Sequence, residues 1–267
     1  MSGAAGSWTR SWGRSDAMTE AEWVASTDPE KMLEYLRGKA SERKLRLFAC
    51  AFGRAVRESQ HLLGPSTVAV AERYADGLAS DQELASERRR WACSPEERGP
   101  VAPSAYDGAW EAVDSLTRYE RVWRHDPDSY SCIPADAVLK GSALLLRDIF
   151  GNPFRPSPHL PAAIIAWNDG TIRHLAEGIY EERQMPERTL DTARLAVLAD
   201  ALEEAGCDNA EILGHLRGPG PHVRGCHVVD HLLGKDAALH GSHGPGRSKE
   251  GGRRRSPAAS RRLRPRG

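Results

Sequence analysis

The sequence lacks any apolar run near the roughly 18 residues that a membrane-spanning helix needs, so no membrane segment is expected. Its first ten residues, MSGAAGSWTR, hold no apolar stretch of the kind a secretory signal carries. Cysteine is sparse: Cys50, Cys93, Cys132, Cys207 and Cys226 are odd in number, widely spaced and never in a CxxC pair. That pattern argues against a disulfide framework and for reduced thiols in the cytoplasm. Alternating strand-type runs are nearly missing, AAIIAW being the only short apolar stretch of strand length. Walker A, GxGxxG and HExxH spacings are missing as well, and no local Ser/His/Asp or Cys/His arrangement names a nucleophile. No catalytic residue is assigned, and whether the chain is an enzyme stays open, with a non-enzymatic reading favoured.

Net charge is also lacking, since 37 Lys and Arg meet 37 Asp and Glu across 267 residues. The zero hides a division. From Gly241 onward eight Arg and one Lys face one Glu, a net +8, while residues 18–240 carry 26 basic and 35 acidic groups, a net −9. Mean hydropathy is −0.55, as for a globular body with polar appendages. Residues 236–267 are almost all Arg, Gly, Pro, Ser, His and Ala. Such a stretch buries too little area to offset the entropy of ordering, so a disordered tail is expected. Its arginines suit nucleic acid or an acidic surface; an incidental extension explains the composition better. Residues 1–17, small and polar around Trp8 and Trp12, are read as a second disordered extension.

What remains, residues 18–235, is dominated by helix signals. Thr19 with Glu22 and Ser80 with Glu83 have capping-box spacing, and Asp28–Pro29 is an N-cap before a proline in the first turn. Ser41 opens a helix to about Ser59, with Leu45, Phe48, Ala49, Phe52 and Val56 as its apolar stripe. A helix from Pro65 sets Val70, Tyr74 and Leu78 on one face. The Pro-rich loop Ser94–Ser104 is the best internal boundary, and a helix from Ala105 turns Trp110, Val113 and Leu116 inward. Another runs from Pro134 to Phe150 and stops at Gly151. Asn168 or Asp169, Asp191 or Thr192, and Asp208 start three more, and Pro221 starts a last one through Leu233. The expected fold is all-α: a globular array of roughly nine to eleven short helices with disordered ends.

The strings MTEAEWVASTDPEKMLEYLRGKASERKLRLFACA, AERYADGLAS, LLRDIFGNPFRP, LADALEEAGC and GPGPHVRGCHVVDHLLGK occur in this order between Met18 and Lys235. In them the chain resembles an uncharacterised helical family abundant in planctomycete bacteria. The resemblance implies a usual start near Met18, a usual end just after LLGK, and no established activity. It also implies Trp and Leu where this chain has His227 and His231, which makes those two histidines poor candidates for a shared role.

Ligand-type residues are densest between Cys207 and His231. Cys207, His215, His222 and Cys226 form the candidate metal set, zinc being the ion that Cys and His donors suit. His222 with Cys226, and His227 with His231, would share a face if the segment were helical. Gly220, His222 and Arg224 form a candidate anion site, because a helix starting at Pro221 would offer free N–H groups. The spacing implies no nucleotide site, and a tight inter-helix turn explains the same glycines and prolines. Asn152 and Arg155 in GNPFRP sit on a rigid loop, and the basic run Ser86–Trp91 is too short for a dedicated nucleic-acid surface. Three functional expectations follow. The first is a non-catalytic helical module that binds another protein. The second is a zinc-binding domain or metal-dependent enzyme, and the third is nucleic-acid binding through the arginine tail.

Overall fold

A computed structural model describes residues 18–60, 65–90, 96–123, 135–156, 160–185 and 188–235. The expectations for 1–17, for 236–267 and for the break at 125–134 lie outside these residues. The described chain is all-α. Its helices are α1 (Glu20–Ala25), α2 (Pro29–Leu36), α3 (Glu42–Gln60), α4 (Pro65–Ala75), α5 (Asp81–Arg90), α6 (Ala105–Trp123), α7 (Ala135–Phe150), α8 (Ala162–Ile165), α9 (Trp167–Glu181), α10 (Thr192–Glu204), α11 (Ala210–Leu216) and α12 (His227–Leu232), with a 3-10 turn at Glu96–Val101. The count exceeds the expected nine to eleven because short turns register as helices of their own. One is α8, so the AAIIAW stretch is helical at its start. Among the described residues the sole β feature is the isolated Gln184–Thr189 bridge. None of the described helices is long and apolar enough to cross a membrane.

Local chemistry sets the ends. The Thr19–Glu22 capping box forms in full, and Ser80 and Glu83 exchange the same bonds ahead of α5. Asp28 and Asp191 each accept two amide hydrogens at the starts of α2 and α10. At α11 the cap is Asn209 rather than the expected Asp208, because Asn209 Oδ1 reaches the Glu211 and Ile212 amides. The last helix starts at His227, six residues beyond the expected Pro221. On α4 the buried positions are Thr67, Val68, Ala71 and Glu72, and Leu78, past the helix end, is exposed. Side chains of Val56 and Leu116 are not among those described.

Two main cores result. Trp23, Met32, Leu33, Leu45, Phe48, Phe52, Val113, Leu146 and Ile149 join α1, α2, α3, α6 and α7. Ile172, Ile179, Leu195, Leu198, Leu202, Ile212, Leu216 and Val229 join α8 to α12. A small third cluster of Cys50, Val68, Ala71, Leu84 and Val101 sits under α4 and α5. The stretch read as a boundary is, from Glu96 on, packed into the body. Arg46 donates to the carbonyls of Pro100 and Ala102 at 2.8 and 3.0 Å. A Cβ at Gly108 would lie 2.0 Å from the Gly99 carbonyl oxygen, so the 3-10 turn and α6 meet backbone to backbone.

Candidate metal centre

Four potential ligand atoms from three segments of the chain converge where the two main cores meet. Asp148 comes from the last turn of α7, whose Leu145, Leu146 and Ile149 belong to the first core. His215 comes from the last turn of α11, in the second core. His222 and Cys226 come from the connection 217–226. That connection is not helical. It turns through Gly220 and Gly225, both at positive φ, with a cis bond between Gly220 and Pro221. A Cβ on Gly225 would stand 2.9 Å from the Leu47 side chain on α3, so the turn lies directly on that helix.

One oxygen, one sulfur and two imidazole nitrogens lie within 4.8 Å of one another. His222 Nδ1 is 3.0 Å from Asp148 Oδ1. His215 Nε2 is 3.1 Å from the same oxygen and 3.1 Å from Cys226 Sγ. Ligand atoms around a tetrahedral zinc stand about 3.3–3.8 Å apart, given bonds of about 2.0–2.3 Å. The 3.0–3.1 Å separations fall a little short of that, and the spread of up to 4.8 Å exceeds it, so an ion would draw some ligand atoms apart and others together. Asp148 and His222 side chains are 2 % exposed, Cys226 is fully buried, and His215 is 20 % exposed.

Outer contacts fix the ligands as second partners do around metals. His222 Nε2 faces the Gly218 carbonyl at 3.2 Å. Asp148 Oδ2 accepts the Val223 amide hydrogen at 2.9 Å, which leaves Oδ1 for the centre. His227 packs its ring against His215, centroids 4.3 Å apart, and places Nδ1 2.9 Å from the Asp148 backbone oxygen.

The electrostatics are those of a buried anion held by imidazoles. Burial alone would raise Asp148, but His215 and His222 outweigh it and hold the carboxyl at about 2. Burial alone would lower His222, and the Asp148 carboxylate reverses that. Burial pushes the Cys226 thiol well up, Asp148 adds to it, and the Val229 and Val228 amides offset only part. Burial and the neighbouring His215 bring His227 down to about 4, so its ring is neutral. A thiol so placed is a poor nucleophile. In a relay triad the thiol and the carboxylate engage opposite nitrogens of the imidazole. Here both approach Nε2 of His215, as ligands around one point do.

Three of the four residues in the expected metal set meet at this centre. The fourth, Cys207, packs in the second core, its amide bonded to the Leu202 carbonyl. Asp148 takes its place. Its signal was a carboxylate in the core-facing register of α7, three residues after Leu145 and beside Ile149. His231 lies outside the ligand cluster. Of the expected anion set, Gly220 lies against His222, which faces Asp148, while Arg224 turns to Asp76 at 2.6 Å. No helix begins at Pro221, so the free N–H groups that reading required are not there. Asn152 and Arg155 tie their loop to Glu20, and Arg155 also pairs with Glu211. Phe154 stacks on Tyr35 at 4.6 Å.

A second buried constellation lies beside the turn. Arg43 of α3 grips Asp230 with two nitrogens and donates to Asp76 at 2.9 Å and to the Tyr180 hydroxyl at 2.6 Å. Arg224 lies over the Tyr180 ring at 4.4 Å, and the Lys235 ammonium stands 4.0 Å from Asp76. Burial would raise Asp76, but Arg43, Arg224, Lys235 and the Tyr180 hydroxyl outweigh it and hold the carboxyl below its usual range. Glu72, one turn earlier on α4, is likewise lowered against burial, by Arg54 and Arg183. A carboxyl lowered on folding adds stability above its unfolded pKa, and loses it as pH falls toward the folded value. The urea midpoint is thus expected to drop as pH falls below about 5. An Asp76→Asn variant should show a shallower drop. Equal pH slopes in the two proteins would contradict this account.

No protein-family model matches the chain, and no curated protein and no solved structure matches it either. These comparisons give the planctomycete resemblance no support.

Proposed function

We propose that the chain is a non-catalytic helical module in which Asp148, His215, His222 and Cys226 hold one structural zinc ion. The carrying observation is the convergence of four donors of metal-ligating type, within 4.8 Å, from segments that share no local helix. The donor set, one thiolate, two imidazoles and one carboxylate, suits tetrahedral zinc better than the hard cations, which take oxygen alone. Four protein ligands complete a tetrahedron, and a site closed in this way is structural, since catalytic zinc keeps a position open. The ion would link α7 of the first core to α11 and the start of α12 in the second, and so stabilise the placement of the body's surface. That surface is the part offered to a protein partner, as expected of a helical array without catalytic motifs.

Elemental analysis of the purified full chain should find about one equivalent of zinc. Cobalt replacing it should give the visible bands of a tetrahedral site together with a thiolate charge-transfer band, and Cys226→Ser should remove the latter. Metal below about a tenth of an equivalent, with no cobalt uptake by the metal-free chain, would sink the proposal.

A further inference from the structure

Arg183 follows α9, and its Nη1 donates to both oxygens of Glu72 at 2.9 Å each. Arg54 of α3 pairs with the same carboxylate. Two guanidiniums on one carboxylate leave a positive charge in excess. The neighbouring carboxylates do not supply the missing anion, since Asp76 and Asp230 are held by Arg43, Arg224 and Lys235. Glu181 reaches only Arg224, at 3.5 Å, and is 64 % exposed. The Arg183 side chain is 8 % exposed. Its Nε is closed to solvent and has no hydrogen-bond partner, the one such buried side-chain atom among the described residues. Native chains rarely leave a buried donor unused, and an unseen water or ion is a standard reason when they do. Burial pushes Arg183 below its ordinary range; Glu72 restores only part of this, and Arg224 and Arg54 deepen it.

We propose that Arg183 and Arg54, gathered on Glu72, form a binding site for one small oxyanion, a phosphate or a carboxylate group, that takes the free Nε–H of Arg183. The chemistry is that of the guanidinium fork, whose Nε edge presents N–H groups matched to the spacing of oxyanion oxygens. Arg183 directly precedes Gln184 and Met185, and the latter is 69 % exposed. This site is separate from the proposed zinc centre and stands or falls without it.

The test is calorimetry and thermal melting of the full chain with inorganic phosphate and with acetate, at matched ionic strength. Saturable binding of about one equivalent in the millimolar range, with a raised melting temperature, is expected for at least one anion. Saturation by phosphate alone assigns a phosphate group, and saturation by acetate a carboxylate. Arg183→Lys keeps the charge but removes the fork, and should weaken binding at least about ten-fold. Glu72→Gln removes the competing carboxylate and should tighten it by about the same factor. A purely structural ion pair predicts no such gain. No saturation by either anion up to about 50 mM overturns the proposal. So does unchanged affinity in Arg183→Lys, which would place the ion elsewhere, on the arginine-rich tail for instance. Should Arg183→Lys fail to fold, unchanged affinity in Glu72→Gln overturns it alone.

Discussion

Asp148→Ala is expected to abolish zinc uptake and to lower the melting temperature by about 10 °C or more. Its side chain meets His215, His222 and the Val223 amide at once. Removing it takes away a ligand and leaves a buried amide, the buried His222 and the half-buried His215 without this acceptor. Breaking a buried pair by deleting one partner costs about 3–5 kcal/mol. For a chain of this size each kcal/mol is worth about 2–4 °C. Loss of the ion adds to this by mass action. The comparison that makes the result specific is Cys207→Ala. Cys207 lies outside the four-atom cluster, so this variant should keep a full equivalent of zinc. Metal loss in Cys207→Ala, or retention in Asp148→Ala, would refute the ligand assignment.

Arg43→Met is expected to cost about 3–5 kcal/mol of folding stability, read as a shift of the denaturant midpoint at unchanged slope. Arg43 is 4 % exposed and lies between Asp76, Asp230 and the Tyr180 hydroxyl. Methionine nearly fills the space but leaves Asp230, itself fully buried, without its bidentate partner. Adding Asp230→Leu to Arg43→Met should recover a large part of the loss, because the uncompensated charge is then gone. A single variant costing less than about 1 kcal/mol would mean the pair behaves as a surface salt bridge.

The legible part of the sequence was local. Capping boxes at Thr19 and Ser80, the Asp28–Pro29 start and the stripe Leu45, Phe48, Ala49, Phe52 all stand in the structure as read. Each depends on residues within about one turn of each other, so the string itself holds the information. The misplacements have local reasons too. Asn209 competes with Asp208 for the same amides. The last helix waits until His227 because Gly220 and Gly225 take positive φ, which a right-handed helix does not admit.

Helix content, the acidic body with its basic tail and the wealth of Cys and His near residue 220 were fixed by composition and spacing alone. Which of those Cys and His groups meet, and with what carboxylate, was decided by tertiary structure. Asp148 lies 74 positions before His222 along the chain, and Arg43 lies 187 before Asp230. Such pairs are set by how two apolar cores dock, and no periodicity of 3.6 residues carries that information.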